Sequence, residues 1–151
     1  MTAKSRLLNF LLVEDDTDHA YLVRRSMERA RLTNSLAHVS DGMEAILYLK
    51  GEGQYRGRVR PDLILLDLKL PKVDGHEVLA HVKNSPDLKT IPVVILTTSD
   101  AETDRAKAYE HHANSYIVKP LDGEGFRAVI EHLNLYWGVV DVGPPSAEPA
   151  G

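Results

Sequence analysis

Apolar residues gather in short runs along this chain, and most of those runs end on a side chain with chemistry to offer. Leu63, Ile64, Leu65 and Leu66 stand between Asp62 and Asp67 without polar alternation, the pattern of a strand covered on both faces. Leu7 to Val13, broken only by Asn9, is a second such run and leads into Glu14, Asp15 and Asp16. Pro92 to Leu96 runs into Thr97, Thr98 and Ser99, and Ser115 to Val118 runs into Lys119 and Pro120. A shorter strand is expected over Leu36 to Val39.

Between these runs the period changes to that of a helix. Ala20, Val23, Met27 and Ala30 share one face, with Arg24, Arg25, Glu28 and Arg29 on the other, behind a cap in the Asp16 to Asp18 region. Asp41 caps a second helix carrying Ala45, Ile46 and Leu49, and Val78, Leu79 and Val82 mark a third that ends near Asn84 to Pro86. Ser99 and Glu102 are spaced as a capping box for a fourth, and Phe126, Val129, Ile130, Leu133 and Trp137 stripe a fifth. Pro71 and the Asp74-Gly75 pair demand a turn after Asp67, since Pro cannot continue a ladder and Gly adopts backbone angles closed to other residues. Strands alternating with helices predict an α/β fold, a doubly wound five-stranded parallel sheet with helices on both faces. Of the two strand orders common in such sheets, the flavodoxin-like 2-1-3-4-5 is expected here. It makes the first and third strands neighbours and brings Glu14, Asp15 and Asp67 side by side on the rim where ligands bind.

Composition narrows the function. With 151 residues there is room for one domain, expected over residues 7–142, and the Gly-, Pro- and Ala-rich stretch 143–151 is expected to be a disordered tail. A net charge of -4 argues against nucleic-acid binding by counterion release. The absence of cysteine excludes disulfides, zinc thiolates and a thiol nucleophile. No signal-peptide core and no apolar run of ~18 residues is present, so a cytoplasmic protein without membrane contact is expected. The glycines of the Gly51 to Arg60 connection lack dinucleotide-loop spacing and follow a helix, and Arg56, Arg58 and Arg60 read as solvated surface. His19, His38, His76, His81, His111, His112 and His132 have no metal-binding spacing, and His111-His112 reads as an exposed helix end.

Converging carboxylates repel, and a cation relieves the repulsion. An all-oxygen site with few protein ligands suits Mg²⁺, with Asp15 and Asp67 as direct ligands, Glu14 holding its waters and the Lys69 backbone carbonyl as a third protein oxygen. Asp67 is then the nucleophile of a phosphoryl transfer that leaves an aspartyl phosphate. Lys119 can neutralise the added charge, and Thr97 can donate a hydrogen bond to a phosphoryl oxygen.

Glu14-Asp15, Asp67, Pro71 with Asp74-Gly75, Thr97, and Lys119-Pro120, in that order across roughly Leu8 to Leu133, resemble the receiver domain of two-component response regulators. The resemblance implies that a sensor histidine kinase donates the phosphoryl group to Asp67, that Thr97 and Lys119 sense it, and that Tyr116 is an aromatic switching rotamer. It implies a phosphoacceptor switch rather than an enzyme, signalling through protein contacts. The Gly51 to Arg60 connection, the Pro86 to Pro92 segment and the Tyr136-Trp137 ending look most like stand-alone regulators paired with phytochrome-type kinases. Departures from the pattern are Asp16 as a third acid, Thr98 where a smaller residue is frequent, and Leu121 where an aromatic is frequent. Tyr136, Trp137, Val139, Val140 and Val142 extend apolar character past the last helix, and a homodimer through this region is expected.

Two rivals remain open. A small-molecule phosphatase or phosphotransferase of the haloacid-dehalogenase type would need a second Asp two positions after the nucleophile, where Lys69 stands. A receiver-shaped interaction module without phosphate chemistry would not need Asp15, Asp67, Thr97 and Lys119 together.

Overall fold

The computed structural model describes residues 8–31, 33–120, 124–125 and 127–128. Its elements are β1 (Leu8–Val13), α1 (Thr17–Ala30), β2 (Thr33–Val39), α2 (Gly42–Lys50), β3 (Leu63–Leu66), α3 (Gly75–Lys83), β4 (Val93–Thr97), α4 (Glu102–Glu110) and β5 (Ser115–Val118), with a 3-10 turn over Gly53–Tyr55. All strand pairs are parallel, in the expected order β2-β1-β3-β4-β5. The fifth expected helix falls largely outside the described residues, as do Tyr136, Trp137 and the tail. Residues 124, 125, 127 and 128 are helical.

The unbroken apolar runs are explained by the two layers they feed. Leu11, Val13, Ile64, Leu66, Val93 and Ile95 pack with α2 and α3 on one side of the sheet. Phe10, Leu12, Leu63, Leu65, Val94 and Leu96 pack with Ala20, Val23, Met27 and Ala30 of α1 on the other. Each fully buried Leu or Ile contributes about 1.5–3 kcal/mol against exposure, so a polar residue anywhere in these runs would be costly.

The helix signals were met unevenly. Asp16 caps α1 by accepting from the Asp18 and His19 amides at 2.9 and 3.1 Å, and Asp41 caps α2 by accepting from the Glu44 amide at 2.8 Å. The Ser99–Glu102 capping box does not form. α4 begins at Glu102 behind Ala101, which leaves Ser99 two residues outside the cap, and its hydroxyl donates to Asp104 Oδ2 at 2.7 Å instead. A capping box occurs at α3, where Asp74 accepts from the Glu77 amide at 3.0 Å and Glu77 returns the contact to the Asp74 amide at 3.3 Å. Gly75 is required for a reason other than the expected one. Its φ is not in the left-handed region, but a Cβ there would lie 2.2 Å from the Asp67 carbonyl oxygen and 2.5 Å from Leu68 Cα. A Cβ on Gly42 would likewise lie 1.8 Å from the Val73 carbonyl oxygen, so glycines crowd the β3–α3 loop from both sides.

Arg58 is not solvated surface as expected. Its guanidinium donates to the Tyr48 and Leu49 carbonyls at 2.8 and 2.5 Å, closing the C-terminal end of α2.

Candidate functional site

Parallel pairing of Val13 with Leu66 ends β1 and β3 at one level, so the next residues of both strands emerge together at the C-terminal rim. The Asp67 amide donates to the Val13 carbonyl at 3.1 Å, and the Glu14 amide to the Val39 carbonyl at 3.0 Å. These bonds hold the backbone beneath the acids. Glu14, Asp15 and Asp67 can each bring a carboxylate oxygen within 4.8 Å of the others, with Glu14 and Asp67 buried and Asp15 exposed. The three carboxylates expected together from the strand order are together.

Lys119 enters from β5. Its amide donates to the Thr97 carbonyl at 2.8 Å, its peptide to Pro120 is cis, and its side chain, 8% exposed, crosses the end of β4. The ammonium donates to Asp67 Oδ2 at 3.1 Å and to Glu14 Oε1. One ammonium does not balance three carboxylates. Burial, with the charge of Asp67 adding to it, pushes the Glu14 carboxyl above the usual Glu range, against the hydrogen bond from Lys119. The site therefore carries excess negative charge and offers only hard oxygen donors, which fits a small divalent cation.

Asp67 Oδ1 accepts from the Lys69 amide at 3.3 Å, while the Lys69 side chain is exposed. Thr97 is fully buried at the end of β4, and its Oγ1 accepts from the Ser99 amide at 3.4 Å. Tyr116 lies inward, with its hydroxyl donating to the Ser99 carbonyl at 2.9 Å and the Arg105 guanidinium 4.6 Å from its ring centre.

Two features here were not expected from the sequence. His19, in the first turn of α1, sets Nδ1 3.0 Å from Lys119 Nζ and Nε2 3.8 Å from Asp16 Oδ2. Its position three residues past the Asp16 cap is the signal that could have aimed it at the rim; metal spacing was the wrong criterion. His76 of α3 sits 3.2 Å from Asp104, which also receives Ser99, so α3, α4 and the β4–α4 loop share one polar cluster. No short-range pattern joins residues 76, 99 and 104.

Residues 10–131 match the family model described as the response regulator receiver domain. A relative from Methanothrix harundinacea, the "Probable methanogenesis regulatory protein FilR2", is 48% identical over 84% of this chain and 81% of its own length. Response regulator Rcp1 of Synechocystis is 42% identical over 84% of this chain and 86% of its own. Its Mn²⁺-bound form has been solved, with a TM-score of 0.74 at 41% identity over 92% of this chain and 99% of that one. The bacteriophytochrome response regulator RtBRR is similar at a TM-score of 0.80 and 46% identity, over 93% of this chain and 86% of that one. With its sheet order, its rim of acids and the lysine that crosses to them, this chain belongs to the response regulator receiver family.

Proposed function

We propose that the chain is a phosphorylation switch in which Asp67 accepts a phosphoryl group from the phosphohistidine of a sensor histidine kinase. The observation that carries this reading is the convergence of Asp67, Glu14 and Lys119 at hydrogen-bond distance from three separate strand ends. An Asp67 oxygen attacks phosphorus as the bond to the donor's imidazole nitrogen breaks; that nitrogen keeps the bonding pair, and the ring, protonated on its other nitrogen, leaves as neutral imidazole. Glu14, Asp15, Asp67 and the Lys69 carbonyl would hold Mg²⁺, which when bound neutralises the charge between carboxylate and phosphate. Lys119 would follow the new negative charge, and the buried Thr97 hydroxyl would give up its loop contact to meet a phosphoryl oxygen. Release of Ser99 would free the Tyr116 hydroxyl and let its ring turn, changing the α4–β5 face that partners read.

The functional unit in this reading is residues 7–142, acting in the cytoplasm through protein contacts, with no membrane or nucleic-acid partner and no small-molecule turnover of its own. The exposed Lys69 side chain stands where a phosphatase would need an acid, and this favours the switch over the enzyme. Similarity to RtBRR supports a phytochrome-type kinase as donor. A homodimer through the region of Trp137 completes the proposal.

Intact mass after incubation with acetyl phosphate and Mg²⁺ tests the chemistry. One added phosphoryl group is expected, and none with chelator or in Asp67→Asn. A wild type that gains no mass and releases no inorganic phosphate from the donor would refute the switch. Light scattering of wild type and Trp137→Glu, with and without acetyl phosphate, reads the dimer.

A further inference from the structure

We infer that His19 is a positioning residue for Lys119: its ring nitrogen, 3.0 Å from the ammonium, holds it beside Asp67 while the carboxylates change partners. The inference rests on the reading of Asp67 as the phosphoacceptor. An ammonium has three N–H donors. Around Lys119 Nζ stand three atoms at hydrogen-bond distance: Glu14 Oε1, Asp67 Oδ2 at 3.1 Å and His19 Nδ1 at 3.0 Å, the last an acceptor when its ring hydrogen is on Nε2.

The acceptors differ in what the chemistry asks of them. Glu14 and Asp67 belong to the carboxylate cluster that a divalent cation would engage, and Asp67 would also carry the phosphoryl group. Both therefore have competing claims on their lone pairs. The imidazole stands outside that cluster, with Nδ1 4.0 Å from Glu14 Oε2 and 3.0 Å from Lys119 Nζ, so it can keep one N–H of Lys119 while the other two move. His19 lies in the first turn of α1, where its own amide is bonded to Asp16 at 3.1 Å. With Nδ1 accepting from Lys119, the ring hydrogen sits on Nε2, the nitrogen 3.8 Å from Asp16 Oδ2.

Geometry also shows where Lys119 would go without this contact. A cleft of about 240 Å³ opens beside the site, lined by His19, Leu22, Val23, Thr98, Lys119 and Pro120. With the ring removed, the lysine stem could swing into that cleft and take the ammonium from Asp67.

The test compares His19→Asn, whose side-chain oxygen stands where Nδ1 does, with His19→Leu, which keeps volume without an acceptor, and with His19→Ala. Two readouts are taken: the ring ¹⁵N shifts of His19 in metal-free, unphosphorylated protein, and the rate of Asp67 phosphorylation by acetyl phosphate with Mg²⁺. The shifts are expected to report an unprotonated, hydrogen-bonded Nδ1 and a protonated Nε2. The rate is expected to fall roughly tenfold in the Leu and Ala variants, short of the roughly hundredfold that a displacement of about 1 Å can cost because Glu14 and Asp67 still hold the ammonium, and to stay within about threefold of wild type in the Asn variant. A Leu variant as fast as wild type, an Asn variant as slow as Leu, or a proton on Nδ1 would overturn the role of His19 and leave the phosphorylation reading intact. A wild type that takes no phosphate would overturn that reading and this role with it, whatever the ring shifts report.

Discussion

Gly75 is held by space rather than by backbone angle. A methyl group there would meet the backbone of Asp67 and Leu68, the stretch that aims the acceptor carboxylate. Gly75→Ala is expected to lower stability by about 1–3 kcal/mol, the cost of forcing atoms into a filled space. It should also slow phosphorylation, because the backbone that must yield belongs to Asp67. Urea unfolding and the acetyl phosphate rate measure the two effects, and a variant as stable and fast as wild type would show that the loop can give way. At this scale the sequence was legible wherever a residue ended an apolar run: Glu14, Asp15, Asp67, Thr97 and Lys119 all stand at the rim. The reason for Gly75 was not legible, since a close approach depends on a neighbour's backbone, and neither was His19, whose partner is 100 positions away.

Helices and loops carry the next set of consequences. Hydrogen bonds from Ser99 first, and from His76 next, hold the Asp104 carboxyl below the usual Asp range. A depressed carboxyl adds stability that is complete above the unfolded Asp value of about 4 and is lost as pH falls through the folded value. The gap in melting temperature between wild type and Asp104→Asn is therefore expected to be widest near neutral pH and to close below about pH 4. A gap that stays constant with pH would mean that Asp104 acts through packing alone. Arg58 is tested at the same scale. Losing its bonds to two carbonyls at the end of α2 should cost about 1–2 kcal/mol in Arg58→Ala, read by urea unfolding. Helix existence was legible from period and caps, but the start of α4 was not. Its only buried residue is Ala108, so no apolar stripe fixes its phase, and a Ser-x-x-Glu spacing alone pointed two residues too early.

For the whole molecule, the runs themselves called for a parallel sheet, because a strand apolar on both faces needs helices on both sides and so crossover connections, and 2-1-3-4-5 is one of the two orders such sheets commonly take. The sheet stands between the two layers of the core, and the acidic site opens at the C-terminal ends of its interior strands β1 and β3. The excess negative charge there is a load on the folded state that Mg²⁺ is expected to relieve. At ten times its dissociation constant the ion should add ~1.4 kcal/mol, seen as a rise of several degrees in melting temperature. Asp15→Asn should remove most of that rise, and an equal rise in the variant would move the ion elsewhere. The two loops flanking the site are built differently. Backbone pressed against Gly42 and Gly75 fixes the loop after β3, whereas the loop after β4 is tied by side chains, Ser99 to Asp104 and Tyr116 to Ser99. In lineages descended from this protein the two stretches should age unequally: 68–75 is mortared in place, while 98–101 can be rewritten one side chain at a time, giving selection a place to retune the timing of the response without disturbing its chemistry.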